Sequence, residues 1–269
     1  MIDSCRVCGS DDLKLYYTQG NEKEFRFYRC GKCTLVNLDL EHGTDQGKYV
    51  YSTPDPFDNT SRTNRAQTQS FEFLARYAPR KGRLFDIGCG NGRILHLARQ
   101  EGWDPTGLEL NEEFAEAVST LVGVPVKIGN FLEYEVAEQE KYDVAILRHV
   151  LEHLPDSILA LTKIRSFLSD DGFALLEFPN IEALDIKLKR WQEDLGLRKK
   201  TYREGYKPGH CNEFCRTSFE FLAKRCGFRI LKWQSYSHSP VQNALFNVFP
   251  IGNKVRVLLQ ATSDPDVLN

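Results

Sequence analysis

The chain has 269 residues, of which 41% are hydrophobic and 27% charged, and its formal net charge is -2 at pH 7. This balance is typical of a soluble globular protein and excludes a disordered chain or a globally basic nucleic-acid binder. No apolar run approaches the roughly 20 residues that span a bilayer. The first residues, MIDSCRVCGS, lack the basic and apolar regions of a secretory signal. We therefore expect a cytoplasmic, reducing location, in which cysteines are metal ligands or free thiols.

Two cysteine pairs near the N-terminus have the spacing of a zinc site. They are C-x2-C motifs separated by 21 residues: Cys5, Cys8, Cys30 and Cys33. Two intervening residues let one tight turn direct both sulfurs at one ion, and two such pairs complete a closed tetrahedral site. The alternating segments 13–17 and 25–29 predict a β-hairpin between them. Because the protein would supply all four ligands, we expect a structural Zn2+ within a ribbon over residues 1–40.

Residues 41–79 are predicted to be a linker that ends in a helix. The segment 49–62 is polar and aromatic, and it could form either a lid over a cofactor or a plain connection between domains. The apolar periodicity that follows predicts a helix over 64–77.

A glycine-rich turn follows the first strand of the next domain. A short apolar strand at 83–87 runs into Gly88-Cys89-Gly90-Asn91-Gly92, and a helix is predicted over 93–100. Glycines let the backbone approach a ligand closely, and a helix N-terminus offers free N–H groups, so this pattern predicts a nucleotide-binding βαβ unit. The next strand, 105–109, ends in Glu109, which is placed to accept hydrogen bonds from two ribose hydroxyls.

Strands and helices alternate through the rest of this domain. The predicted elements are the helix 111–121 with Asn111 as its N-cap, the strands 124–128 and 142–147, the helix 156–168 and the strand 173–178. Such alternation predicts an α/β fold with a parallel sheet covered by helices on both faces. Ligands of such sheets bind at the C-terminal ends of the strands.

Several motifs in this region resemble those of class I S-adenosylmethionine (SAM) methyltransferases. They are FDIGCGNG, TGLEL, KIGNF, YDVAILRHVLEHLPD and DGFALLEFPN, and the segments 216–228, 229–236 and 254–261 are similar to that family's last helix and antiparallel strand pair. The resemblance implies a seven-stranded, Rossmann-like methyltransferase sheet that is mostly parallel with its last strand antiparallel. It also implies a SAM-binding domain over 80–269 with an acceptor-capping insertion at about 181–215.

The resemblance further implies which residues hold the cofactor. Asp86 would orient the glycine turn, Asn130 and Phe131 would contact the adenine, and Arg148 would lie beneath the methionine part. The expected cofactor-binding residues are Asp86, Gly88, Cys89, Gly90, Gly92, Glu109, Leu110, Asn130, Phe131, Leu147 and Arg148.

Three histidines are candidates for a catalytic base. Methyl transfer from a sulfonium needs in-line alignment without water, and a hydroxyl or acidic C–H acceptor also needs a base, for which histidine titrates nearest to neutral pH. His149 follows the strand 142–147, His153 could share its face, and His210 comes from the insertion. Each of the three could instead have a structural role, and Glu152 with His153 could simply cap the turn. Weaker candidates are Tyr206 and Glu213 as site residues, and Cys211 and Cys215 as a metal-binding face on a helix.

The ribbon followed by this core resembles the zinc-binding head of sugar C-methyltransferases and related small-molecule methyltransferases. The resemblance implies a small-molecule acceptor, such as a nucleotide-sugar or another intermediate of surface-polysaccharide or natural-product biosynthesis. Eight lysines and arginines within 187–207 could hold acceptor phosphates or form a solvated helix face. Two alternatives remain open: an rRNA or other RNA methyltransferase whose ribbon grips RNA, and a non-catalytic SAM-binding scaffold.

Overall fold

The computed structural model describes residues 2–45, 55–78, 80–236 and 252–262. In these ranges the chain forms a four-stranded sheet and a seven-stranded sheet, with α-helices packed around the larger one. None of the helices in the described ranges has the length and apolar character needed to cross a bilayer.

The elements follow the predicted alternation. In chain order the strands are β1 (Leu13–Gln19), β2 (Phe25–Cys30), β3 (Val36–Leu38), β4 (Arg83–Ile87), β5 (Asp104–Glu109), β6 (Val126–Ile128), β7 (Tyr142–Arg148), β8 (Leu168–Pro179), β9 (Asn212–Glu213), β10 (Phe228–Tyr236) and β11 (Lys254–Ala261). The α-helices are α1 (Arg62–Tyr77), α2 (Arg93–Gln100), α3 (Glu112–Val122), α4 (Ser157–Phe167), α5 (Leu184–Asp194) and α6 (Arg216–Arg225).

The larger sheet has the strand order β10-β11-β8-β7-β4-β5-β6. The pairs β8–β7, β7–β4, β4–β5 and β5–β6 are parallel, whereas β11 runs antiparallel to both β8 and β10. The predicted α/β fold, a mostly parallel seven-stranded sheet with an antiparallel last strand, is therefore confirmed.

Both faces of the larger sheet are buried. Successive residues of a strand point to opposite faces, so Phe85 packs in one apolar cluster with residues of α4 and α6, while Leu84 packs in a second cluster with residues of α1 and α2. Because helices cover both faces of the sheet, most residues of β4 and β7 are apolar, and their side chains do not alternate between apolar and polar.

Side-chain caps fix the helices that begin next to the C-terminal edge of this sheet. Asn111 accepts a hydrogen bond from Phe114 N at the start of α3, as predicted, and Asp156 accepts one from Leu159 N at the start of α4. These caps therefore fix the direction in which the chain passes from β5 into α3 and from the turn after β7 into α4.

The smaller sheet joins the N-terminal segment to β9, which lies within the segment 181–215. The predicted hairpin is present as β1 and β2, and β3 adds to it, with β9 pairing antiparallel to β3. Phe27 and Leu38 of the ribbon share a buried cluster with Ile181 and Cys215. The cysteine ribbon and the segment 181–215 therefore pack as one unit, which the sequence did not predict.

Candidate active site

The glycine turn lies at the C-terminal end of β4, where the main chain leaves an open surface. Gly90 and Gly92 both adopt left-handed backbone angles, with φ of 56° and 78°. A Cβ at Gly90 would meet nothing within 4 Å, whereas a Cβ at Gly92 would lie 2.7 Å from Val118 Cγ1. Gly90 therefore leaves room for a ligand to approach the backbone, and Gly92 lets α2 begin against α3.

Two buried carboxyl groups face this turn from neighbouring strands. Asp86 lies in β4 and Glu109 ends β5. Burial raises the pKa of Asp86 to about 7, because the opposing effect of Arg148 is too small to offset it and the charge of Glu109 adds to the rise. Glu109 Oε1 accepts the backbone N–H groups of Leu110 at 2.8 Å and Asn111 at 3.4 Å. These bonds fix the carboxylate at the end of its strand.

The remaining residues expected to hold the cofactor differ in their surroundings. Cys89, Phe131 and Leu147 are buried in apolar clusters, and burial raises the pKa of the Cys89 thiol. Leu110 is exposed beside the end of β5. Asn130 Oδ1 accepts the N–H of Leu132 at 3.1 Å, so its amide caps the turn after β6. Of these residues, Cys89, Phe131 and Leu147 thus belong to the apolar core, whereas the glycine turn, the carboxyl pair and Asn130 provide polar groups.

A buried ionic network lies beside β7, and the sequence analysis missed its centre, Glu177. The partners of the Glu177 carboxylate are Arg148 Nε at 2.8 Å, Arg256 Nε at 2.6 Å, Ser70 Oγ at 2.6 Å and Tyr236 OH at 3.0 Å. Burial alone would raise the pKa of Glu177, but Arg148 and Arg256 outweigh it and lower this pKa to about 2. The sequence does contain a signal for this network. Glu177 is the single charged residue of the apolar run FALLEF, and a charge buried in a strand requires partners of opposite charge.

The backbone after β7 is bent so that His149 faces Glu152. His149 has φ of 55°, a left-handed value that is costly for a residue with a Cβ, and its N–H donates to the Glu177 carbonyl at 2.8 Å. Its Nδ1 lies 3.5 Å from Glu152 Oε1, and its Nε2 lies 4.0 Å from Glu177 Oε2. The imidazole is 32% exposed, so it is held by buried carboxylates and still reachable from outside.

The other two predicted histidines meet at the same place. His153 and His210 have ring centroids 5.0 Å apart, and His153 Nδ1 lies 2.8 Å from the Gly209 carbonyl oxygen. Burial lowers the pKa of His210, although Glu152 acts in the opposite direction. Glu152 is only 2% exposed, and its Oε2 has no hydrogen-bond partner among the described residues. The structure therefore brings all three histidines around one buried carboxylate, where their imidazole nitrogens could bind a proton or a metal ion.

The weaker candidates lie outside this histidine cluster. Tyr206 donates to Gln19 Oε1 and so ties the insertion to the ribbon, whereas Glu213 pairs with Arg190 at 3.4 Å within the insertion. The prediction that Cys211 and Cys215 share a helix face is wrong. The two cysteines flank β9, since that segment is recruited as a strand by the ribbon.

The four N-terminal cysteines form a separate cluster of free thiols. Cys5 Sγ lies 3.4 Å from Cys33 Sγ, and Cys8 Sγ lies 3.5 Å from Cys30 Sγ. These separations fit tetrahedral zinc, whose bonds of about 2.3 Å place sulfurs slightly under 4 Å apart. The contact between the thiols of Cys5 and Cys33 lowers the pKa of Cys5 and raises that of Cys33, so this pair favours one thiolate that accepts a hydrogen bond from the other thiol.

Part of the predicted lid is anchored next to the glycine turn. Arg93, buried at the start of α2, donates to the Pro56 carbonyl at 2.8 Å and to Asn59 Oδ1 at 2.6 Å. Asn91 of the glycine turn donates to Asn64 Oδ1 at 2.8 Å. Residues 46–54, which include the first part of the predicted lid, lie outside the described residues.

Comparison with known proteins identifies the family. A family model described as "Methyltransferase domain" matches residues 60–232. The ubiquinone biosynthesis O-methyltransferase of Proteus mirabilis is 34% identical over 79 residues, which cover 28% of this chain and 32% of that protein. The one from Histophilus somni is 25% identical over 150 residues, covering 51% and 63%. These matches thus cover less than two thirds of the relatives' own length.

Solved structures support the same fold. The 1,6-didemethyltoxoflavin-N1-methyltransferase of Burkholderia thailandensis has a TM-score of 0.59 at 15% identity and covers 92% of this chain and 100% of its own. The N-methyltransferase NodS of Bradyrhizobium japonicum has a TM-score of 0.52 at 14% identity, covering 78% and 94%. The chain belongs to the methyltransferase domain family. It carries the methyltransferase domain of that family, together with a cysteine cluster near its N-terminus.

Proposed function

We propose that the protein transfers the methyl group of SAM to a small-molecule acceptor that is deprotonated by the histidine cluster. One observation carries this proposal: His149, His153 and His210 converge on the buried Glu152 immediately beside the glycine turn. A Cβ at Gly88 would lie 3.8 Å from Val150, which connects the turn to the cluster. A methyl donor on the turn and an acceptor at the histidines would therefore be neighbours, as in-line transfer requires.

The cofactor's binding follows from the charges at the turn. SAM supplies a positively charged sulfonium with an electrophilic methyl carbon. Asp86 and Glu109 present two buried carboxyl groups beside the open backbone at Gly90, a site suited to a cation with a ribose. We assign the ribose hydroxyls to Glu109 and the positively charged methionine end to the side of Asp86 and Arg148.

Among the three histidines, we assign the catalytic base to His149. Its ring is partly exposed, so an acceptor can reach it. Glu152 Oε1 lies 3.5 Å from its Nδ1, where the carboxylate orients the ring and stabilises the protonated imidazole. His153 and His210 then line the acceptor side of the same cluster. The acceptor's proton would pass to His149 as its oxygen, nitrogen or carbon forms the new bond to the methyl carbon.

Several contacts favour a small acceptor over RNA. Of the ribbon cations, Arg6 donates to Leu38 O, Cys211 O and Asn212 Oδ1, and Arg29 pairs with Glu182 at 2.7 Å. Both guanidinium groups are therefore engaged within the chain. Two kinds of protein described above are also named for small molecules, namely for ubiquinone biosynthesis and for 1,6-didemethyltoxoflavin.

A nucleotide-sugar is the acceptor class that the basic segment would suit. Within 187–207, Lys189, Arg190 and Arg198 pair with acids of the described residues, at 3.1, 3.4 and 3.8 Å. Lys199 and Lys200 are exposed, and they are the residues that we assign to acceptor phosphates. Reversing both charges should then raise the KM for a phosphorylated acceptor and leave SAM affinity unchanged.

We further propose that the four-cysteine cluster holds one structural Zn2+ in a ribbon over residues 1–40. A ribbon of this size has little core of its own, so metal binding would supply much of its folding free energy. Elemental analysis of the purified chain should find one tightly held zinc that is lost when Cys5 and Cys8 are both replaced by serine.

The central experiment is a SAM-turnover screen across nucleotide-sugars, catechol-like and other small hydroxylated compounds, and total RNA. We expect turnover with a small molecule, and a loss of at least 100-fold in kcat for His149→Ala with SAM affinity preserved. Turnover of RNA alone would overturn the acceptor assignment. Calorimetry that finds no SAM binding to folded, zinc-loaded protein would overturn the whole proposal.

A further inference from the structure

We propose that Glu152, His153 and His210 bind a divalent metal ion, and that this ion holds an oxygen of the acceptor against His149. This inference deepens the proposed function and rests on it for the role of the metal. The binding site itself is argued from the geometry of the cluster and is tested without any acceptor.

The three side chains already surround one point. One ligand atom from each residue lies within 4.8 Å of the other two. Ligands on one first-row ion, at bond lengths of about 2.0–2.2 Å, lie roughly 3–4 Å apart, so closure by about 1 Å completes the site. Rotations of the side chains suffice for a movement of this size.

The carboxylate of Glu152 gives the second, independent reason for a cation. Glu152 is nearly fully buried, and its Oε2 has no hydrogen-bond partner among the described residues. Burying an unpaired carboxylate oxygen is unfavourable, so buried acids are normally paired, hydrogen-bonded or bound to metals. The partner of Oε1 is His149, 3.5 Å away, which leaves Oε2 to face a cation.

His153 is held in the tautomer that a metal needs. Its Nδ1 lies 2.8 Å from the Gly209 carbonyl oxygen, which only accepts hydrogen bonds, so Nδ1 carries the proton. In a neutral ring Nε2 then keeps its lone pair. A metal-binding histidine is commonly oriented in this way, through a carbonyl on its other nitrogen. His210 lies in the same cluster, with its ring centroid 5.0 Å from that of His153.

The backbone fixes the distance between the two chain segments that supply the ligands. Cys211 N donates to the Glu152 carbonyl at 2.8 Å, and Cys211 Sγ donates to the His153 carbonyl at 3.1 Å. His210 is therefore tied to Glu152 and His153 through its immediate neighbour. A site built on such bonds is more rigid than one on free loops.

The ligand set selects the class of metal. Two imidazoles and one carboxylate favour Mn2+, Fe2+, Co2+, Ni2+ or Zn2+ over Ca2+, and three protein ligands leave positions open for the acceptor. A hydroxyl bound there has a lowered pKa, and an adjacent second oxygen could fill another open position. We therefore infer a hydroxylated acceptor with neighbouring oxygens. Its proton moves to His149, the O–CH3 bond forms, and the carbon–sulfur bond breaks with its electron pair left on sulfur.

Mn2+ is the probe of choice, because four thiolates retain zinc in preference to this harder ion. Electron paramagnetic resonance of zinc-loaded protein titrated with Mn2+ should show one bound Mn2+ per chain. His210→Ala and Glu152→Gln should each weaken this binding at least tenfold. His96→Ala, a histidine beside Phe57 and outside the cluster, should leave it unchanged. Circular dichroism and SAM calorimetry identify any variant that fails to fold.

Co2+ provides the second measurement. At this site it should give the weak visible bands of nitrogen and oxygen ligands, without the intense near-ultraviolet bands of cobalt thiolates. If Mn2+ and Co2+ do not bind, or bind equally to wild type and His210→Ala, the metal site is refuted. Because SAM affinity is measured on the same samples, that failure is distinguishable from failure of the proposed methyl transfer.

Discussion

At the scale of single residues, we expect the carboxyl of Asp86 to couple SAM binding to pH. Burial raises its pKa to about 7, so the group is largely neutral at pH 6 and largely ionised at pH 8. A cationic ligand stabilises the ionised form. We therefore expect the Kd for SAM, measured by calorimetry, to fall severalfold between pH 6 and pH 8.

Asp86 affects the stability of the free protein in the opposite direction. Because its pKa is above the usual value of 3.8, its contribution to stability is complete below about pH 4 and is lost as pH rises through 7. Asp86→Asn should bind SAM weakly with no dependence on pH, and should gain stability relative to wild type from pH 6 to pH 8. A SAM Kd that does not change with pH in wild type would contradict this account of the site.

Glu109 is predicted to carry the ribose contact. Its Oε1 is held by backbone N–H groups, so loss of the side chain removes a preorganised charged acceptor. Glu109→Ala should weaken SAM binding by about 1–3 kcal/mol, measured by calorimetry. Glu112→Ala serves as the matched control, because this glutamate is exposed in the first turn of α3. Equal effects of the two substitutions would disprove the assignment.

Local pattern was enough to predict some of these residues and not others. The position of Glu109 at the end of β5 was predictable, because that strand end follows the glycine turn at a fixed spacing. His149 and His153 were identified by their place after β7. Their meeting with His210 depends on the path of the segment 181–215, and no periodicity in the sequence encodes that path. The burial of Glu152 at the centre of this cluster could not be predicted from the sequence, since an acid in a turn is usually solvated.

At the scale of elements, the smaller sheet connects the cysteine cluster to the histidine cluster. Arg6 lies between two zinc-ligand candidates and donates to Leu38 O, Cys211 O at 3.0 Å and Asn212 Oδ1 at 3.2 Å. Asn212 Nδ2 in turn donates to the Leu154 carbonyl at 2.7 Å. The ribbon thereby supports both the segment that carries His210 and the turn that carries His153.

This support predicts a selective effect of Arg6→Gln. The zinc content and the SAM Kd should stay within twofold of wild type, because neither depends on the guanidinium. Hydrogen exchange of the Leu38 amide, which donates to the Cys211 carbonyl, should accelerate at least tenfold. Arg26→Gln is the control, since Arg26 is exposed on the same ribbon. Unchanged exchange at Leu38 would show that the ribbon and the insertion are held together by other contacts.

Element prediction succeeded where an element has a local signal. The strands β4, β5, β7 and β8 are each a largely buried run next to a turn or a helix, although the order of the strands in the sheet, β8-β7-β4-β5-β6, differs from their order in the chain. The two-residue strand β9 gives no such signal, because its conformation is imposed by pairing with β3. This long-range pairing joins the ribbon to the segment 181–215, and no local pattern in the sequence predicts it.

At the scale of the whole molecule, Glu177 links four elements of the methyltransferase core. Its carboxylate meets Ser70 of α1, Arg148 of β7, Tyr236 of β10 and Arg256 of β11. These elements lie on both sides of β8, so the network holds the two antiparallel strands and the first helix against the parallel sheet. The backbone carbonyl of Glu177 also accepts the N–H of His149, which connects this network to the candidate active site.

The network predicts how the molecule responds to acid. The pKa of Glu177 is lowered to about 2 from an ordinary value of 4.5, so its stabilisation is present above pH 4.5 and is lost as pH falls toward 2. Glu177→Gln leaves two buried arginines without their anion, and it should lower the free energy of unfolding at pH 7 by about 3 kcal/mol or more. Urea titrations at pH 7, 5 and 3.5 should show the difference between wild type and variant shrinking in that order. If the difference in unfolding free energy between wild type and Glu177→Gln stays constant with pH, the stability lost in the variant comes from packing. A loss of the Glu177 charge must depend on pH, because glutamine does not ionise.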